Sequence, residues 1–166
     1  MKKPSILIVL MLACAGLFAQ SPVGVGEKQI NFGAGFSSSG IPIYVGMDFG
    51  VHPDISVGFN ASFRSYGSDW AGSDYNFTAI GIIGNGNYHF NRILNIPQPW
   101  DVYAGLSLGY VIVSAPSGYG GSVGSDFGLE AQIGGRYYWN DRWAINLQFG
   151  GGNVVSGTLI GVTYKL

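Results

Sequence analysis

Between Phe127 and Gly151 the chain alternates almost residue by residue between apolar and polar side chains. Phe127, Leu129, Ala131, Ile133, Tyr137, Trp139, Trp143, Ile145, Leu147 and Phe149 form one set. Asp126, Glu130, Gln132, Arg136, Asn146 and Gln148 form the other, and Asn140-Asp141-Arg142 separates the two runs. A period of two places successive side chains on opposite faces of a strand, so the stretch reads as a hairpin with one greasy and one wet face. Aromatic residues crowd the greasy face beside the turn. That combination points to strands set in a bilayer around a polar interior.

Composition agrees with that environment. Charged residues make up 10 % of the chain, where about a quarter is usual for soluble domains, so this chain would make a poor water-facing surface. The N-terminus carries Lys2 and Lys3, an apolar run from Ile6 to Leu12, and small residues leading to Leu17-Phe18-Ala19. This is the pattern of a secretory signal peptide over residues 1–19, whose apolar core is shorter than the roughly 20 residues a membrane-spanning helix needs. Residues 20–28 read as a short periplasmic segment and residues 29–166 as one domain. A rival reading is a lipoprotein, because Met11-Leu12-Ala13-Cys14 loosely resembles a lipobox. Cys14 is the only cysteine, so a chain cut after Ala19 has neither a disulfide nor a cysteine metal site. Cutting there also leaves six basic residues against nine acidic ones, a formal charge of −3 that excludes the basic footprint of a nucleic-acid binder.

The alternation predicts eight strands: residues 29–36, 43–51, 55–64, 77–90, 101–114, 126–139, 143–152 and 158–165. Short connections at 52–54 and 140–142, with a longer one at 91–100, fall at one end. Connections at 37–42, 65–76, 115–125 and 153–157, rich in Gly and Ser, fall at the other. Membrane barrels have short periplasmic turns, longer extracellular loops and an even strand count. The charges within the strands, Asp48, Arg64, Asp101, Asp126, Glu130, Arg136 and Lys165, all take the phase opposite to the apolar set, which keeps ions away from lipid. In the fourth strand Ile80, Ile82 and Ile83 straddle both phases. We take Ile80, Ile82, Tyr88 and Phe90 as outward and Asn85, Asn87 and His89 as inward. Tyr88, Phe90, Trp100, Tyr137, Trp139 and Trp143 then gather at the turn end as a periplasmic aromatic girdle.

Counting back from the terminus, Leu166, Tyr164 and Val162 alternate with Lys165, Thr163 and Gly161. This resembles the C-terminal assembly signal of outer-membrane barrels, with Leu where Phe is usual. The segments Asn87-Tyr88-His89-Phe90-Asn91, Val102 to Tyr110, Gly135 to Trp143 and Gly161 to Leu166 are similar to those of small outer-membrane β-barrels of the OmpA and OmpX type. The resemblance implies an all-β, eight-stranded antiparallel up-and-down transmembrane β-barrel in the outer membrane of a Gram-negative cell. It also implies a monomer without cofactor, whose partners are outer-membrane lipid, lipopolysaccharide and, during biogenesis, the barrel-assembly machinery.

An eight-stranded barrel has an interior just wide enough for side chains to fill it. We therefore expect Asp48, Arg64, Asp126, Glu130 and Arg136 to form a structural polar network rather than line a pore. Glu130 and Arg136 lie six residues apart on one strand, about 20 Å, so their partners must come from other strands. Catalysis is not expected. The only histidines, His52 and His89, fall at the periplasmic end, whereas barrels of this size that cleave or transfer lipid A acyl chains act at the outer leaflet. Neither the glycines nor the scattered acids spell a phosphate-binding or metal motif, and Asp69 with Asp74 is weak evidence for a divalent ion. Tyr66, Trp70, Tyr75 and Tyr119 on the long loops either contact an extracellular ligand of unknown identity or pack the loops on themselves. The expected role is structural or surface-interacting. Alternatives are a narrow or gated pore, and a soluble or lipid-anchored ligand-binding barrel, which would require the apolar face to point inward.

Overall fold

The computed structural model describes residues 23–37, 40–70, 73–153 and 157–166; the side chains of Trp70 and Ser73 fall outside that description. The expected signal peptide and Cys14 therefore lie outside the described residues, as does the Trp70 side chain proposed as a loop contact. The strands are β1 (Lys28–Phe36), β2 (Ile43–His52), β3 (Ile55–Trp70), β4 (Ser73–His89), β5 (Trp100–Ser114), β6 (Asp126–Tyr138), β7 (Trp143–Gly152) and β8 (Gly157–Lys165). Each pairs antiparallel with its sequence neighbours, and β8 pairs with β1 from Gln29↔Lys165 to Phe36↔Thr158, closing the barrel. Closure leaves no strand edge along the wall, so every ladder group within it has a partner.

The barrel is inside-out relative to a soluble one. Ile82, Leu106, Leu108, Phe127, Leu129 and Ile133 face outward and are exposed, while Gln29, Asp48, His89, Asp101, Arg136 and Thr163 are buried inside. This phase is the reverse of what the soluble ligand-binding alternative requires. The fourth strand follows the predicted phase, with Ile80 and Ile82 outward and Ile83, Asn87 and His89 inside. At the turn end the outward rings pair across strands, Trp100 with Tyr137 and Trp143 with Tyr164 at 4.7 Å each, and Tyr88 packs on Phe90, two residues along the same chain, at 5.2 Å. Asn140 holds the tight β6–β7 turn through its Oδ1, which accepts from the backbone N–H groups of Arg142 and Trp143.

Two stretches differ from the sequence expectation. Residues 65–70 and 73–76, expected as loop, continue the β3–β4 ladder from Ser65↔Thr78 to Trp70↔Ser73. Strand pairing beyond a greasy belt requires no apolar alternation, so the Gly- and Ser-rich composition concealed it; the stacked pair Tyr66 and Phe77, 5.6 Å apart, supports the extension from within. In the long connection before β5, Asn91–Leu94 forms one helical turn, α1. Buried Asn91 fixes it, donating from Nδ2 to the Trp100 carbonyl at 2.6 Å, while Arg92 ion-pairs with Asp54 in the β2–β3 turn. A single turn is too short to show a helical period.

Candidate functional site

The lumen divides into a sealed layer at the turn end and a cavity toward the loop end. Arg136 organises the sealed layer. It stands on β6, diametrically opposite β2 in a ring of eight strands, and its Nη2 meets Asp48 Oδ2 at 2.8 Å, so this ion pair crosses the lumen. Its Nη1 meets Asp101 Oδ2 at 3.0 Å, and its guanidinium lies over the Tyr103 ring at 4.4 Å. Asp48 also accepts amide hydrogens from Gln29 and Asn31 at 2.9 Å each and from Asn85 at 3.2 Å. A carboxylate shared by one guanidinium and three amides is well compensated for its burial.

The remaining inward side chains extend this layer to all eight strands. Tyr138 Oη donates to Gln29 Oε1 at 2.7 Å, and Tyr44 Oη to Asn146 Oδ1 at 2.8 Å. Asn146 Nδ2 donates to Thr163 Oγ1 at 3.0 Å, which donates onward to Asn31 Oδ1 at 2.7 Å. Tyr103 reaches across to Gln148 at 3.1 Å because Gly134 leaves room: a Cβ there would overlap the Tyr103 ring. Chemically the layer is a plug. Nothing in it presents an open coordination position, and no group of three or more metal-ligating side chains occurs among the described residues.

One part of the plug has the connectivity of a hydrolytic relay. Ser56 Oγ lies 2.9 Å from His89 Nε2, and His89 Nδ1 lies 2.7 Å from Asp101 Oδ1, distances at which a base activates a nucleophile. All three residues have zero solvent exposure and none lines the cavity. A reacting carbonyl must come within about 3.5 Å of the nucleophile, and this geometry gives it no approach to Ser56. The three residues act as a hydrogen-bonded strut linking β3, β4 and β5.

Toward the loop end lies a cavity of about 90 Å³. Its floor is the plug, including Asp48, Tyr103 and Arg136; its walls include Ile83, Val111 and Leu159, and Ser37 and Pro42 stand near its mouth. Arg64 and Glu130 also line it. Arg64 donates to Ser37 Oγ at 3.3 Å and lies over the Tyr66 ring at 5.7 Å, meeting no carboxylate among the described residues. Glu130 is 7 % exposed and has no hydrogen-bond or ion-pair partner among the described residues.

The five residues proposed as one interior network thus separate. Asp48 and Arg136 meet, Arg64 and Glu130 face the cavity unjoined, and Asp126 is exposed at the rim, its Oδ1 accepting from the Phe127 N–H at 2.8 Å. Asp126 sits at the first residue of β6, where the wall has ended and water reaches either face. Asp101, His89, Ser56 and Gln29 carry much of the plug without having been proposed for it; their inward phase was the available signal. Of the loop aromatics, Tyr75 and Phe77 pack edge-on against Tyr119 at 5.4 and 5.0 Å, and Tyr66 stacks on Phe77. This cluster ties the β3–β4 hairpin to the β5–β6 connection. At the C-terminus, Tyr164 and Val162 pair with Ile30 and Phe32, and the Leu166 N–H donates to the Lys28 carbonyl at 3.0 Å.

No protein-family model matches the chain, and no curated protein matches it by sequence. Solved structures do match in fold. The outer membrane protein OprG from Pseudomonas aeruginosa superposes with a TM-score of 0.68 at 13 % identity, over 90 % of this chain and 99 % of that one. Neisserial surface protein A gives 0.58 at 16 % identity, over 84 % and 95 % of the two chains. Ail, the attachment invasion locus protein of Yersinia pestis, gives 0.54 at 12 % identity in its complex with the heparin analogue sucrose octasulfate, over 84 % and 97 %. The fold is that of small eight-stranded outer-membrane barrels.

Proposed function

We propose that this chain is an integral barrel of the bacterial outer membrane, closed to diffusion by its own side chains, with a structural and surface-contact role in the envelope. The observation that carries the reading is the Arg136–Asp48 ion pair spanning the lumen within a layer drawn from all eight strands. The outward belt of large apolar residues is suited to lipid, and the ring-paired aromatics at the turn end to its headgroups. The turn end then faces the periplasm and the loop end the exterior. Lipid and lipopolysaccharide surround the wall, the assembly machinery reads Val162, Tyr164 and Leu166, and a wall without free edges inside the membrane stays monomeric.

Surface contact rests on the β3–β4 hairpin, which runs six residues beyond Arg64 to Trp70, about 20 Å at 3.3 Å per residue. Its partner is not a polyanion of the kind seen with Ail. The loop end carries Asp69, Asp74 and Asp126 against the single basic residue Arg64, which favours a neutral or basic surface.

A cell lacking this chain, complemented with either the full chain or a version with residues 66–76 replaced by a two-residue turn, tests the reading. Both versions are expected to insert and restore the permeability barrier, and only the full chain to restore attachment to a neutral or basic surface. Equal attachment by the shortened chain would remove the hairpin from the proposal. A gated pore is the second reading, favoured by the cavity, which would become a continuous path if the Arg136 layer parted. Discrete channels from the pure unmodified protein in planar bilayers would establish that reading instead.

A further inference from the structure

We propose that the loop-end cavity is a binding site for a small organic cation, a primary amine with a short apolar tail, whose ammonium group is held by Glu130. The inference is independent of the hairpin's role. It begins from the charges inside the barrel. Asp48, Asp101 and Glu130 are carboxylates turned inward, and Arg64 and Arg136 the guanidiniums that share the lumen with them. Asp48 and Asp101 share Arg136, whereas Glu130 has no donor at all among the described residues. A carboxylate withdrawn from bulk water and left without a donor is costly unless something in the cavity supplies one.

The neighbourhood decides what that donor can be. A hard metal ion takes six or more oxygen ligands, and a lone carboxylate does not provide them. The surroundings of Glu130 are mixed: its cross-strand partner on β5 is Ser107, whose hydroxyl is given to Gln132, the next inward pair along is Gly128↔Gly109, and Ile83 and Val111 supply an apolar side to the same space. An ammonium with three donors and a short hydrocarbon tail matches one carboxylate without a donor in a space that Ile83 and Val111 line on another side. The volume of about 90 Å³ holds about six to nine water-sized bodies, which sets the ligand near the size of n-butylammonium. The approach is also biased. At the loop end the exposed acids Asp69, Asp74 and Asp126 outnumber the half-buried Arg64, whereas at the turn end the exposed Lys28, Arg92 and Arg142 stand beside Glu27 and Asp141, so the field at the mouth draws cations in.

The experiment uses the full mature chain in lipid nanodiscs with glutamate labelled with 13C at the side-chain carboxyl. Glu27 and Glu130 are the only glutamates, so two signals report directly. Adding n-butylammonium is expected to shift the Glu130 signal saturably and leave Glu27 in place, while 1-butanol and butyrate leave both in place. Glu130→Gln, assayed by ligand-observed NMR, is expected to weaken n-butylammonium binding about tenfold or more, the scale of a lost charge-assisted hydrogen bond. Should that variant fail to fold, Gly150→Ala serves, because a Cβ there would overlap the Glu130 carboxylate and displace it; the same weakening is expected. Equal binding of 1-butanol, unchanged affinity in either variant, or no saturable shift in the unmodified protein would overturn the proposal.

Discussion

Replacing Arg136 by Met removes both of its ion pairs, the one across the lumen to Asp48 and the one to Asp101 on the adjacent strand, while keeping an unbranched side chain to pack on Tyr103. Asp48 then retains its three amide donors and Asp101 retains His89, so neither carboxylate is left bare. Removing one partner of a buried ion pair costs about 3–5 kcal/mol. The surviving hydrogen bonds put this variant at the lower end, about 3 kcal/mol, or on the order of a hundredfold in the folded-to-unfolded ratio. The measurement is a urea titration of the barrel refolded in lipid vesicles, followed by tryptophan emission and by the electrophoretic shift between folded and unfolded barrel. Asp48→Asn in the Arg136→Met background is expected to recover about 1–2 kcal/mol, because it removes the carboxylate that lost its guanidinium. A loss below about 1 kcal/mol for Arg136→Met, the range of an exposed ion pair, would refute the idea that the layer is dry and holds the barrel together. The same samples belong in planar bilayers, where conductance from Arg136→Met and none from the unmodified chain would identify the Arg136 layer as the barrier.

Gly134→Ala should force the Tyr103 ring aside, break its hydrogen bond to Gln148 and cost about 1–3 kcal/mol in the same titration. Leu108→Arg, on the outward face of β5, should cost about 2–4 kcal/mol if that face meets the bilayer midplane, and close to nothing if it meets water. Ser56→Ala should cost about 1–3 kcal/mol by orphaning His89 Nε2. The unmodified protein should stay unlabelled by a fluorophosphonate, since Ser56 is sealed; labelling there would make the strut a working nucleophile.

The strand phases were legible residue by residue because a period of two is a local property: once Phe127 and Leu129 face lipid, Glu130 and Gln132 must face in. The β3–β4 extension was not, because residues 65–76 pair in a region where the alternation that reveals strands is no longer demanded. Asp126 was misassigned for a related reason: its phase points inward, but it stands where the wall stops. Helix α1 was hidden because one turn fixed by the Asn91 side chain leaves no periodic trace.

The sequence by itself determined an even-stranded sheet with a lipid-compatible outside and a polar inside, since each residue's face follows from its neighbours along the chain. Only the tertiary structure decided which inward residues meet. Asp48 and Arg136 are separated by 88 residues and touch because closure with a particular strand tilt and stagger sets them opposite one another across the lumen. The same stagger seals Ser56, His89 and Asp101 into the plug and leaves Glu130 facing the cavity without a donor. Inwardness is written in local alternation; partnership across a closed barrel is set by its long-range geometry.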